Sequence, residues 1–116
     1  MKIVVSAKGG TPESEVDPRF GRASCFLVFD TGSGVWQAVD NAQAISAAHG
    51  AGIQSAETVC RLGADIVISG HVGPKAFTVL AAGGVKIYQG DPRTAREAVE
   101  AFQSGQLPEL SDSNRL

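Results

Sequence analysis

The sequence predicts an α/β fold built on a mixed five-stranded sheet, flanked by helices in three layers. Three observations predict it. Short β-branched apolar runs come first, and from the middle of the chain they alternate with segments whose apolar residues recur at helical spacing. Gly and Pro mark nearly every junction between these segments. The second and third apolar runs are joined by a turn too short for a crossover, so that pair must be antiparallel inside an otherwise parallel sheet.

Lys2 to Ala7 (KIVVSA) reads as a buried first strand, leaving the sheet through Lys8-Gly9-Gly10. Thr11 to Arg22 is polar, contains Pro12, Pro18 and Gly21, and reads as a loop leading into a second strand, CFLVFDT. Gly32-Ser33-Gly34 turns the chain into a third strand, Val35 to Asp40, whose alternation leaves one face exposed. After a small-residue loop through His49-Gly50, Ala51 to Leu62 places Ile53, Ala56, Val59 and Cys60 on one helical face, with Gly63 as its stop. Asp65 to Ser69 is the fourth strand, and Pro74 opens a helix through Ala82 that Gly83-Gly84 ends. VKIY is the fifth strand, and Thr94 to Phe102 is a last helix introduced by Asp91-Pro92. The order β-β-β-α-β-α-β-α is that of ribonuclease-H-like folds.

With 116 residues and 43% hydrophobic content, the chain suits one domain with its own core. Residues 1–103 are expected to form it, and residues 104–116, rich in Gly, Pro, Ser, Asp and Asn, a loose tail. The net charge of -2 gives no general attraction to nucleic acid or anionic lipid, so neither is an expected partner. The first apolar run is too short for a signal peptide or a membrane span, which points to the cytoplasm. Cys25 and Cys60 lack a CxxC or CxxH spacing, which disfavours a zinc site and a disulfide framework.

Strands one, three, four and five should run one way and strand two against them, so their matching ends share one edge, where ligands of open α/β sheets bind. That edge gathers Lys8 and Gly9, then Arg19, Phe20, Gly21 and Arg22, then His49, then Gly70, His71, Gly73 and Lys75. Two helices begin there. Four cations, both histidines, flexible glycines and two helix N-termini suit an anion of charge two or three. Plain readings stand beside this one: the glycines as turn residues, Arg19 and Arg22 as solvated partners of Glu13, Glu15 or Asp17, the histidines as caps, and Phe20 as a core seal. Cys25 is a candidate thiolate ligand only through its position at the start of strand two.

Several chemistries lack their residues. KGGTPES does not supply a phosphate-binding GxxxxGK[ST] loop, and GxGxxG is absent. Strand one carries Ser6 and Ala7 where a two-metal nuclease would need carboxylates. Without a GxSxG elbow, Ser6 and Ser69 are not marked as nucleophiles, and no catalytic residue is assigned.

Four segments carry a resemblance: SAKG at Ser6 to Gly9, EVDPRFGRA at Glu15 to Ala23, HGAGIQSAE at His49 to Glu57, and SGHVGPKAF at Ser69 to Phe77. Over Met1 to about Phe102 the sequence resembles the dinitrogenase iron-molybdenum cofactor biosynthesis family. The resemblance implies a ribonuclease-H-like domain that binds a molybdenum-containing metal-sulfur cluster without catalysis, as carrier, store or assembly partner. The guest is either a molybdenum-copper sulfide anion or an iron-molybdenum cofactor precursor, and the compact length favours the first. It also implies a MinD-like ATPase or a cofactor maturation protein as partner, with the face around Trp36 as one docking surface and ordinary cross-strand packing of Trp36 as the alternative. A regulatory partner-binding module with no bound cluster is the second functional reading, and a hydrolase of the ribonuclease-H type the third.

Overall fold

The computed structural model describes residues 1–41 and 50–111. His49 and the last five residues therefore lie outside the described residues. The strands are β1 (Lys2–Ala7), β2 (Cys25–Asp30), β3 (Trp36–Asp40), β4 (Ile66–Ser69), β5 (Lys86–Gln89) and β6 (Glu109–Leu110). The described α-helices are α1 (Ala51–Arg61), α2 (Pro74–Ala82) and α3 (Ala95–Gln103), and a 3-10 turn covers Phe20–Arg22. The sheet order is β3-β2-β1-β4-β5-β6. β1, β4 and β5 are mutually parallel neighbours, while β2 pairs antiparallel with both β1 and β3.

β1 runs through the middle of the sheet, and every residue from Ile3 to Ala7 is fully buried, which is why its sequence is continuously apolar up to Ser6. The alternation of its side chains feeds two cores. Ile3, Val5 and Ala7 pack with Leu27, Ile68 and the inner face of α3, Ala95, Ala98 and Val99. Val4 packs on the other side with Phe26, Val67, Ala56 and Val59 of α1, and Ala76 and Leu80 of α2. The molecule thus has three layers, with α1 and α2 on one face of the sheet and α3 on the other.

The sheet has six strands where the sequence predicts five. The sixth, β6, comes from the expected tail: it pairs antiparallel with β5 through Ile87↔Leu110 and Tyr88↔Glu109. Leu107 is buried in the α3-side core, and Gln89 donates its N–H to Pro108 O at 3.0 Å. A two-residue strand preceded by Gly105 and Pro108 is too short to show alternation, and its pairing to β5 is non-local, so composition alone reads it as loop.

The loop between β1 and β2 divides its loyalties. Residues 12–16 cross to α3: Ala95 and Arg96 donate their N–H groups to Ser14 O and Pro12 O, each at 2.8 Å, and Val16 donates to Arg93 O at 2.8 Å. Arg96 Nε also lies 2.8 Å from Glu13 Oε2, with the guanidinium 5.9 Å from the Trp36 ring centroid. Residues 18–22 instead lie against β4's exit, where Arg19 and His71 form a parallel bridge. Trp36 stacks at 4.8 Å on Phe29, its register partner across β2 and β3, so ordinary cross-strand packing accounts for it.

Candidate functional site

The strand ends that the sequence assigns to one edge do meet there, but the edge has two halves. On the α1/α2 half, the 3-10 turn, the start of α1 and the start of α2 enclose a cavity of about 320 Å³. Its wall is mostly backbone and small side chains, Gly21, Gly50, Gly52 and Gly73 with Ala51 and Ala76, to which Ile53, Pro74 and Lys75 add the larger groups. Among the described residues Lys75 is the sole charged one in that lining, and it is exposed and has no ion pair there.

Close backbone approach makes this cavity. A Cβ on Gly21 would stand 2.9 Å from both Cα and N of Gly52 and 3.3 Å from the carbonyl carbon of Ala51, so the 3-10 turn and α1 touch main chain to main chain. A Cβ on Gly70 would meet Pro18 Cα at 2.5 Å, which fixes the Arg19 loop against β4's exit. Gly50, at φ +76°, turns the chain into α1. Gly73 is different, since a side chain there would meet nothing within 4 Å.

Among the described residues three α-helices begin on this edge, and one of them is closed by a capping box. The first-turn N–H groups of a helix have no acceptor within it. At α3 the chain supplies them: Ser14 O and Pro12 O take Ala95 and Arg96, and Thr94 and Glu97 form a reciprocal capping box, Glu97 N to Thr94 Oγ1 at 3.2 Å and Thr94 N to Glu97 Oε1 at 3.0 Å. α1 and α2 carry neither a side-chain cap nor an acid in the first turn. Their positive dipole ends therefore lie beside the cavity without a carboxylate to offset them.

Of the remaining predicted residues, Arg19, Arg22 and His71 lie on this half of the edge, whereas Lys8 and Gly9 do not. Arg19 is 71% exposed in its side chain and lies 3.8 Å through Nε from Asp17 Oδ1, so Asp17 is its partner. Arg22 and His71 are exposed on the same half, each engaged in further interactions, and Phe20 N donates to His71 O at 3.1 Å. The Phe20 ring is buried, packs 5.3 Å from Phe26 and is not part of the cavity wall, so it seals the core under the loop. Lys8 and Gly9 are not brought to the cavity. Lys8 pairs with Glu15 at 3.5 Å, and Gly9 abuts Ser14, both within the segment that crosses to α3.

Sequence reasoning missed Gly52 and Ile53 as wall residues. Helical spacing assigns Ile53 to the core face, whereas the buried stripe of α1 is Ala51, Ser55, Ala56 and Val59, and half-buried Ile53 turns to the cavity. The Gly-x-Gly spacing of Gly50 and Gly52 at a helix start was the available clue.

Neither cysteine lines the cavity. Cys25 is 8% exposed in the α3-side core, and burial, with the nearby Asp40 charge, pushes its thiol above its usual range despite a backbone hydrogen bond that favours the thiolate. Ser6 and Ser69 are fully buried, with Ser6 Oγ 2.7 Å from Ser69 Oγ and 2.9 Å from Asp17 O, so both hydroxyls are committed to the scaffold. Among the described residues no group of three or more His, Cys, Asp or Glu is placed to hold a metal ion, and no helix is long and apolar enough to cross a membrane.

A three-layer α/β sheet here places two helix starts without side-chain caps beside a small, largely glycine-walled cavity. The chain belongs to the dinitrogenase iron-molybdenum cofactor family, whose model matches residues 1–105. It is similar to the apo form of the orange protein from Desulfovibrio gigas, with 41% identity and a TM-score of 0.95 over 98% of this chain and 96% of that one. A NifB candidate from Thermotoga is 36% identical with a TM-score of 0.86, covering 98% of this chain and 97% of its own. The uncharacterized protein MJ0580 of Methanocaldococcus jannaschii is 27% identical over 97 residues, 81% of each chain.

Proposed function

We propose that this protein binds an anionic molybdenum-containing metal-sulfur cluster and carries or stores it without catalysis. The observation that carries the reading is the cavity of about 320 Å³ at the junction of two helix starts without side-chain caps, with Lys75 as the one charged wall residue among those described. Among the described residues such a wall offers N–H dipoles and a cation but no Cys, His or carboxylate. It suits an anion whose metals already have their sulfide ligands, and it does not suit a bare metal ion that needs protein donors. The likeness to orange protein favours a molybdenum-copper sulfide anion as the cargo over an iron-molybdenum cofactor precursor.

In this reading Lys75 and the first-turn N–H groups of α1 and α2 hold the cluster, and Arg19 and Arg22 add positive charge at the rim of the same half-edge. Gly21, Gly70 and Gly73 let the backbone approach, and His71 is a rim contact. We assign the fold to the ribonuclease-H-like class, place the protein in the cytoplasm, and take a MinD-like ATPase or a cofactor maturation protein as the partner that loads or receives the cluster.

The test is anaerobic titration of the apo-protein with tetrathiomolybdate and copper(I), followed by desalting, visible absorption and metal analysis. A coloured, stoichiometric complex that weakens when Lys75, Arg19 and Arg22 are neutralised is the expected result. Full retention by the charge-removed variants refutes the site. Retention of no metal by the parent, with stable capture of a metal-free maturation protein, replaces the reading with that of a regulatory module.

A further inference from the structure

Asp17 is a carboxylate only 5% exposed in its side chain, beside a site that favours anions. Its backbone is pinned to β1: Asp17 N donates to Ser6 O at 2.8 Å, and Ser6 Oγ lies 2.9 Å from Asp17 O. Pro18, the next residue, presses on Gly70 and accepts the N–H of His71. The base of Arg19 is therefore fixed to the exits of both β1 and β4, and only its side chain is left to choose a direction. Asp17 Oδ1 accepts Arg19 N at 2.9 Å, a turn bond that an Asn oxygen would make equally well. The negative charge is surplus to that turn. What it meets is Arg19 Nε at 3.8 Å, and the two Nη groups have no partner among the described residues.

We propose that Asp17 is a positioning residue that tethers Arg19 by Nε and thereby aims the two Nη groups outward as a donor fork for the guest. The inference rests on the cluster-binding reading and adds to it a residue that never touches the cargo. A guanidinium held at one edge keeps two parallel donors in a fixed plane, which a freely rotating side chain, or a lysine, does not. The buried acid lowers the net charge of the half-edge by one and gains orientation in exchange.

The experiment is a double-mutant cycle on the full chain, read as the dissociation constant for the copper(I)-tetrathiomolybdate complex. D17N keeps the turn acceptor and removes the tether, so its affinity should fall by roughly two- to fivefold with an unchanged melting temperature. In an R19Q background D17N should then have no further effect. Parent-like affinity of D17N, tighter binding, or a loss that persists in R19Q each overturns the positioning role. If D17N does not fold, R19K reads the same geometry: it keeps the charge, lacks the fork, and should lose the same factor, whereas parent-like R19K overturns the proposal. A parent that retains no thiomolybdate overturns the cluster reading together with this one, so the two failures are told apart by the parent alone.

Discussion

Gly73→Asp should raise stability and abolish binding, opposite signs from one side chain. Gly73 is the N-cap of α2, with φ -65° and ψ 164°, an extended conformation that any L-residue adopts, and a Cβ there meets no atom within 4 Å. An Asp oxygen can accept a first-turn N–H that has no side-chain cap now, and its charge faces the positive end of the helix. Together these are worth about 0.5–1 kcal/mol, a rise of about 2–5 °C in melting temperature for a chain this size. The same carboxylate lies on the cavity wall. A cavity of about 320 Å³ is about 4 Å in radius, so the new charge stands about 5 Å from the centre of a bound anion. At an effective permittivity near 20, each unit of guest charge is then repelled by about 3 kcal/mol, roughly a hundredfold in affinity. Thermal melts by circular dichroism give the first number and thiomolybdate titration the second. A variant that melts higher yet binds as the parent does would show that the guest is not held at the start of α2. One that melts several degrees lower would refute the capping argument.

Gly21→Ala forces a methyl into the main chain of α1; restoring ordinary contact needs a shift of about 0.5 Å, and the expected loss is about 1–3 kcal/mol with weakened binding, whereas a parent-like melt would refute the contact. Cys25 should resist iodoacetamide at neutral pH in the folded protein, because burial raises its thiol pKa and shields it, and should react once guanidinium unfolds the chain; rapid alkylation of the native protein, read by peptide mapping, contradicts this. The backbone N–H groups of Gly32 and Ser33, helped by the N-terminal amine and Lys2, hold the Asp30 carboxyl below its ordinary 3.8. Since the folded value is the lower one, the stabilisation is fully present well above pH 3.8 and is lost as pH falls through the folded value. D30N should therefore be less stable than the parent near neutrality and converge with it in acid, and a gap that widens in acid would reverse the assignment.

Most of the sheet was legible because β1, β2, β4 and β5 carry continuous or alternating apolar runs bounded by Gly or Pro, and the three described helices end within a residue or two of the Gly stops and start close to the Pro, Gly or Thr residues that precede them. What escaped was non-local. β6 is two residues whose partner lies about twenty positions earlier, and its surroundings read as tail. Lys8 and Gly9 leave β1 at the correct edge, but which half of the edge they serve is decided by residues 12–16 crossing to α3, a contact with no local signature. Ile53 shows the limit of periodicity: at a helix start, an apolar residue can face a cavity as readily as a core. The cations were found by counting loops, yet only pairing geometry separates Lys75, which lines the cavity, from Lys8, which pairs with Glu15.

The closure of α3 by Ser14 and Pro12 has a further consequence. The two faces of the sheet are held together differently. On the α3 face, strand, loop and helix start are hydrogen-bonded into one unit, so a substitution there is felt by all three. On the α1/α2 face, the cavity wall consists of helix starts whose backbone donors are not committed to side-chain caps. Exchanges at Gly52, Ile53, Gly73 or Lys75 can therefore reshape the cavity wall while the opposite face keeps the chain folded, a division of labour between the two sides of one small scaffold.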